Sequence, residues 1–180
     1  TILISSAPFS QDWSGTTYKY NQTYPGYIIT MKGDTTTGYV LHGDRAQNQT
    51  SCTFYADPND SETVKIYKPT ELKGYMVGDK IYRTINWSGG IASKPLNFVL
   101  VTEPGRITQF KYYLSNSSAE SEEQMLWQRE GESPVQHKDF VLGFAKKMSK
   151  LVSDYPELAK KVEDKEKGYG LMKVFQIIEE

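Results

Sequence analysis

The sequence predicts an α+β protein in which an antiparallel β-barrel or sandwich of about eight short strands precedes two or three short C-terminal helices. Between Tyr27 and Arg129, apolar residues recur with a period near two, and turn residues separate the runs. After Pro134 the apolar spacing becomes that of a helix. The composition agrees, because most of the 13 tyrosines, which favour strands, precede residue 114.

Three turns divide the front part into hairpins. The dipeptides Gly33-Asp34 and Gly78-Asp79 lie between runs of strand-forming residues, and glycine supplies the positive φ that tight hairpin turns require. The segment from Glu103 to Arg106 predicts a type II turn, with Gly105 at the positive-φ position. The predicted strands are 27–30, 35–41, Val64–Tyr67, Leu72–Val77, 80–87, 96–102, Ile107–Leu114 and 124–128.

The tail predicts three short helices. Asp139 is expected to cap the first one, Asp154 and Glu157 have capping-box spacing before the second, and Pro156 fits the first turn of the second. Helices this short are marginal alone, so they are expected to pack on one another or on the sheet. The apolar residues at helical spacing are Phe140, Phe144, Met148, Leu151 and Val152 in the first helix, Leu158 and Val162 in the second, and Leu171, Val174, Phe175 and Ile178 in the third.

The chain divides by composition into three parts. Residues 1–13 are interpreted as a signal-peptide remnant or a first strand, 14–132 as a β-rich body, and 133–180 as a helical tail packed on the body. The apolar opening followed by small residues leads us to expect an exported protein, in the periplasm, cell envelope or extracellular space. The solvated connections are expected at 43–50, 57–62, 86–94 and 115–123, with mobility at the last of these.

The charge balance and the absence of known motifs argue against several classes of function. With 21 basic and 22 acidic residues, the chain lacks the basic excess typical of nucleic-acid binders, and no apolar run approaches the roughly 18–20 residues that span a bilayer. Cys52 is the single cysteine, and two histidines are too few for the common hydrolytic zinc site. The acidic loop 57–62 lacks the EF-hand register. We therefore predict no catalytic, metal-binding or cofactor-binding residues and no cofactor.

The aromatic residues are the strongest remaining clue to function. Tyr112 and Tyr113 are adjacent on a predicted strand, so their rings point to opposite faces. Trp127 on the following strand is expected to lie across from them, with Arg129 on the same face as Trp127. Tyr and Trp on a sheet face can stack against sugars or peptide side chains, whereas ordinary cross-strand packing is the commoner reason for such residues. These four residues form the predicted ligand-binding set.

The order of the motifs resembles a group of uncharacterised exported proteins of Bacteroidetes-type bacteria. The resemblance is carried by Gly26-Tyr27-Ile28 with Gly33-Asp34-Thr35, and by Asp154-Tyr155-Pro156-Glu157-Leu158 in the tail. Many such proteins have cysteine where this chain has Tyr155, so no functional thiol is implied there. The resemblance implies export and this architecture, and it implies no activity.

We therefore expect a non-catalytic binding or interaction module whose partner is an unknown protein, glycan or lipid-like ligand, with neither nucleic acid as a partner nor a membrane span. An alternative is a carrier that holds a small, lipid-like ligand inside a closed barrel of about eight strands. A third hypothesis is a hydrolase whose carboxylates are brought together by folding. Inward-facing aromatic residues would favour either binding hypothesis over the hydrolase.

Overall fold

The computed structural model describes residues 18–87, 96–114 and 122–180. Within them, strands form a single antiparallel sheet, one short helix lies between the second and third strands, and three more helices form the tail. The strands are β1 (Gln22–Thr30), β2 (Thr35–His42), β3 (Cys52–Tyr55), β4 (Val64–Tyr67), β5 (Leu72–Val77), β6 (Lys80–Asn86), β7 (Leu96–Glu103), β8 (Ile107–Leu114), β9 (Glu122–Arg129) and β10 (Val135–Gln136). The helices are α1 (Arg45–Thr50), α2 (Phe144–Leu151), α3 (Pro156–Glu163) and α4 (Val174–Glu179).

The α+β prediction is confirmed, and the sheet is open. Its order is β10-β9-β8-β7-β6-β5-β1-β2-β3-β4, so the chain forms one meander from β1 to β4, returns to the other side of β1, and continues as a second meander. Among the described residues, β4 and β10 are the edges and no pairing joins them. The arrangement is therefore sandwich-like, and the barrel alternative is wrong because the sheet does not close.

The predicted hairpins form where local turn chemistry specifies them. Gly33 and Gly78 have φ values of 98° and 60°, so glycine relieves the strain of a left-handed backbone at both turns. The prediction of a type II turn before β8 is wrong, because Gly105 does not have the positive φ that this turn requires. In the observed turn, the hydroxyl of Thr108 donates to the Gly105 carbonyl (3.2 Å).

Helix α1 replaces the loop predicted at 43–50. Asp44 caps it, since its carboxylate accepts from the Gln47 N–H at 2.7 Å. The buried side chain of Asn48 bonds both backbone groups of Gly43, at 3.0 Å and 2.8 Å. Because these contacts join residues close in sequence, the spacing of Asp44 and Gln47 was the signal that could have predicted the helix.

Gln49 anchors α1 to the second meander. Its side-chain amide donates to the Tyr113 carbonyl at 2.8 Å and its carbonyl accepts from the Tyr113 N–H at 2.6 Å. The pairing of β7 with β8 reaches only as far as Lys111 opposite Leu100. The Gln49 amide thus supplies at Tyr113 the two hydrogen bonds that a neighbouring strand would otherwise make.

The predicted caps in the tail are wrong although the helices exist. Asp139 lies in a 3₁₀ turn (His137–Phe140), where its carboxylate accepts from the Gln136 N–H at 2.9 Å, and α2 begins only after Gly143. Asp154 does not cap α3, because its carboxylate pairs with Arg106 instead. Pro156 occupies the first turn of α3 as predicted.

The buried face of the last helix differs by one position from the prediction. Val174 and Ile177 are buried, whereas Phe175 is 48% exposed and Ile178 is half-buried. The interleaved apolar residues allow two helical faces, and packing against the rest of the tail selects one of them. Phe175 is consequently available at the surface.

The tail helices share one core with β8 and β9. We call the side of the sheet that they cover the tail face, and Trp127, which is fully buried, is the sheet residue at its centre. A second cluster lies on the opposite face of β6–β9, and a third involves β1–β3 and β5–β7. The buried residues of the tail core are Trp127, Phe140, Met148, Leu151, Val152, Leu158, Val162, Val174 and Ile177.

Three sequence predictions lie wholly or mostly outside the described residues. These are the strand or signal-peptide remnant at 1–13 and most of the loops at 86–94 and 115–123. In the part of the chain that the structure describes, no helix has both the length and the apolar character needed to cross a bilayer.

Candidate binding cleft

A cleft of about 720 Å³ opens between the β7–β8 turn and the helical tail. One wall is the turn itself, the second is the connection between α2 and α3, and the third is α4. This volume lies within the range of roughly 300–1,000 Å³ that is common for ligand sites. The cleft brings together segments that are distant in sequence, so only the folded chain reveals it.

The walls of the cleft combine apolar side chains with charged ones. Val152, Leu158 and Ile177 are almost completely buried at its base, whereas Tyr155 and Phe175 remain 44% and 48% exposed. Tyr155 directly precedes α3, and Phe175 is exposed because its neighbours Val174 and Ile177 fill the core. Two rings at a concave site provide a large apolar contact area with little conformational freedom to lose.

The polar group at the base of the cleft is already hydrogen-bonded. The indole N–H of Trp127 donates to Gln109 Oε1 (3.0 Å), and Gln109 Nε2 donates to the hydroxyl of Thr102 (3.2 Å). Phe175 packs edge-on against the Trp127 ring at 5.3 Å between centroids. Because Gln109 is engaged in this way, the base presents chiefly apolar surface to a ligand.

The rim of the cleft is charged. Arg106, whose side chain is 81% exposed, pairs with Asp154 at 3.3 Å across one side. On another side Glu180 accepts from Lys161 (3.2 Å) and Tyr169 (3.3 Å). The ionisable lining residues are Glu103, Arg106, Asp154, Glu179 and Glu180. Acidic groups therefore outnumber basic ones at the mouth.

The four residues of the predicted ligand-binding set do not meet at one surface. The register of β8 with β9 puts Tyr113, Trp127 and Arg129 on the tail face and Tyr112 on the opposite face. Tyr112 is only 6% exposed and packs in the cluster on that opposite face. Trp127 is paired with Gln109, and Tyr113 lies four residues further along β8. Tyr113 and Gln109 are therefore separated by about 13 Å along the strand.

The individual contacts of this set are structural. Trp127 is fully buried, so its ring is not available for stacking by a ligand. Arg129 bonds the hydroxyl of Ser153 and the carboxylate of Glu132, which also pairs with Lys150 at 3.2 Å. The bonds from Lys150 and Arg129 lower the pKa of Glu132. This network joins the sheet to the end of α2.

Tyr113 belongs to a different polar–aromatic cluster. The guanidinium of Arg45 lies 4.5 Å from its ring centroid, and burial raises the pKa of its hydroxyl. The sequence predicted that Tyr112 and Tyr113 point to opposite faces without deciding which of them is exposed, and Arg45 was missed because α1 was not predicted.

The cleft offers the carboxylates of Glu103, Asp154, Glu179 and Glu180 as its candidate acid–base or nucleophilic groups. Its described lining contains no His, Cys, Ser or Lys. Cys52 is buried, and burial raises the pKa of its thiol, so it stays protonated near neutral pH. No group of three or more potential metal-ligating His, Cys, Asp or Glu residues occurs among the described residues.

A buried histidine lies at the start of the sheet. The imidazole of His42 stacks on Tyr20 at 5.3 Å, and its Nδ1–H donates to the Lys19 carbonyl at 3.3 Å. Burial lowers its pKa, and the nearby Lys80 ammonium adds to this effect. The folded protein therefore binds a proton at His42 less readily than the unfolded chain, whose histidine pKa is about 6.5.

This histidine predicts acid-sensitive folding. As the pH falls below about 6.5 and then through the lower folded-state pKa, the free energy of unfolding should decrease, by about 1.4 kcal/mol for each unit by which folding lowers the pKa. His42→Phe should reduce the difference in stability between pH 7.5 and pH 5, measured by urea denaturation. An equal pH dependence in His42→Phe and the wild type would contradict the assignment.

Comparison of the chain with protein-family models, with curated proteins and with solved structures finds no match.

Proposed function

We propose that this protein is a non-catalytic binding module and that its ligand enters the cleft between the β7–β8 turn and the helical tail. The observation that carries the proposal is the pair of half-exposed rings, Tyr155 and Phe175, in a concave site with a charged rim. Exposed aromatic residues in such a cleft are typical anchors of recognition. Export stays a separate prediction that rests on the sequence.

The ligand engages the cleft through an apolar group. The exposed rings of Phe175 and Tyr155 provide the apolar surface on which an aliphatic or aromatic group can pack, and the almost completely buried Leu158 and Ile177 lie behind them. Burial of apolar surface contributes about 25 cal/mol per Å², so a single ring or branched chain supplies a substantial share of a micromolar affinity. The rim then selects among ligands that carry such a group.

An amide-detected NMR titration tests this proposal with neutral probes. N-acetylphenylalanine amide and N-acetylleucine amide, at millimolar concentration, should shift resonances of Ile107, Tyr155 and Phe175 more than those of β1–β4. Phe175→Ala should weaken the binding about tenfold or more, because truncating an aromatic anchor removes most of its contact area.

Met172→Ala is the matched control. Met172 lies on the preceding 3₁₀ turn (Leu171–Lys173), is 91% exposed, and does not line the cleft. This variant should bind like the wild type, and the spectrum of each variant reports whether the fold is intact. Shifts that are absent from the cleft, or that persist unchanged in Phe175→Ala, would contradict the proposal.

A further inference from the structure

The charges around the cleft are unbalanced in a way that bears on its ligand. Asp154 is paired with Arg106, and Glu180 with Lys161. Glu103, the last residue of β7, and Glu179, at the end of α4, have no cationic partner among the described residues. Two exposed carboxylates on different walls thus face a common opening without compensation.

Building on the proposed function, we infer that the cleft takes an extended peptide segment of a partner protein in which basic residues flank an apolar one. The apolar side chain packs against the exposed rings of Phe175 and Tyr155, and the basic side chains lie over Glu103 and Glu179. Complementary charge at a rim acts mainly on specificity and on the rate of encounter, while the apolar anchor supplies most of the affinity.

Arg106 already shows how a cation sits at this rim. Its guanidinium is 3.3 Å from Asp154 while its side chain is 81% exposed. Solvent-exposed ion pairs of this kind contribute little to stability, so a cation from the ligand can replace Arg106 beside Asp154 at small cost. Arg106 is therefore a competitor of the ligand, and removing its charge should favour binding.

The distribution of polar groups favours a peptide over a small organic cation. A small ligand needs polar groups that converge at the base of its site. Here the polar side chain at the base, Gln109, is occupied by Trp127 and Thr102. The charged groups instead lie apart, on the turn, on the α2–α3 connection and on α4. An elongated ligand that crosses the rim can reach all three walls.

Fluorescence anisotropy with labelled hexapeptides tests the inference at physiological salt. The probe carries phenylalanine and leucine between two arginines, and the comparison peptide replaces both arginines by glutamate. The arginine peptide should bind at least about tenfold more tightly, and the difference should decrease as salt is added. Equal binding of the two peptides would overturn the inference while leaving the proposed function intact, and failure of both these peptides and the neutral probes would overturn both.

Substitutions of the carboxylates at the rim provide a second test of the inference. Glu103→Gln combined with Glu179→Gln should weaken the arginine peptide about tenfold and leave the neutral probes unaffected. Glu62→Gln combined with Glu163→Gln removes the same net charge away from the cleft and should have little effect. If the control pair weakens binding equally, the effect is long-range and the rim assignment is wrong.

Two further measurements test the role of Arg106 and distinguish a peptide ligand from a small cation. Arg106→Gln should tighten the arginine peptide about threefold, and weaker binding would show that Arg106 is not a competitor of the ligand. Phenethylammonium, a small aromatic cation, should bind far more weakly than the peptide. If phenethylammonium binds as tightly as the arginine peptide, the ligand is a small cation and the peptide inference is overturned.

Discussion

Replacing Trp127 by alanine should lower the free energy of unfolding by about 3–5 kcal/mol, the usual cost of removing a buried tryptophan or phenylalanine. Trp127 is fully buried and contacts Phe140 and Phe175 at centroid distances of 6.3 Å and 5.3 Å. The change also leaves Gln109 Oε1 without its 3.0 Å donor in the core. Chemical denaturation monitored by circular dichroism measures the loss.

Leu142→Ala is the control for this prediction. Leu142 lies in the same tail but is 79% exposed, so its truncation should change stability by less than about 0.5 kcal/mol. Trp127→Phe separates two contributions, because it keeps a ring and removes only the indole N–H and part of the volume. A loss in Trp127→Ala no greater than in Leu142→Ala would show that the sheet and the tail do not share this core.

The tail should be the first part of Trp127→Ala to open. The tail helices have six to eight residues each, and helices of this length depend on tertiary packing. Their buried residues meet the sheet chiefly through the cluster that contains Trp127. Limited proteolysis should therefore cut the variant within the tail under conditions that leave β1–β6 intact.

The sequence predicted those elements whose determinants are local. The hairpins at Gly33 and Gly78 depend on turn residues within four positions, and the strand bounds Leu72–Val77 and Ile107–Leu114 agree with the structure. The order of the strands was not predictable in the same way. The pairing of β1 with β5 joins segments more than forty residues apart, and periodicity carries no information on which strands pair.

Most of the candidate cleft could not be predicted from the sequence. Trp127 was recognised as an unusual aromatic residue, but a pattern with period two does not distinguish a buried ring under helices from a ring that is open to ligand. Phe175 was predicted as buried, since Val174, Phe175, Ile177 and Ile178 fit two helical faces. Only the docking of α4 decides between these faces, and that decision places Phe175 in the cleft.

A glycine in the middle of β1 carries the second large prediction. Gly26 is paired with Gly38 on β2 and with Val77 on β5, so both neighbouring strands pass close to it. A Cβ at this position would lie 2.0 Å from the Met76 carbonyl oxygen and 3.2 Å from Val40 Cγ2. The first contact is with backbone, which cannot move away without shifting β5.

Gly26→Ala should therefore lower the free energy of unfolding by about 3 kcal/mol or more, at the upper end of the cost of overpacking. Gly131 and Gly170 calibrate this effect, because a Cβ at either position meets nothing within 4 Å. Gly131→Ala should cost about 1–2 kcal/mol through its φ of 79° alone. Gly170→Ala, without positive φ, should be neutral or stabilising by up to about 1 kcal/mol.

Urea denaturation of the three variants distinguishes crowding from backbone strain. If Gly26→Ala does not fold, the soluble yield of the three variants, expressed side by side, preserves the expected order. Equal losses for Gly26→Ala and Gly131→Ala would mean that β1 and β5 can separate enough to accept a methyl group. The glycine of the Gly26-Tyr27-Ile28 motif would then be dispensable for the sheet. The expected order instead assigns Gly26 to the close approach of β1 and β5, which holds the two meanders together as one sheet.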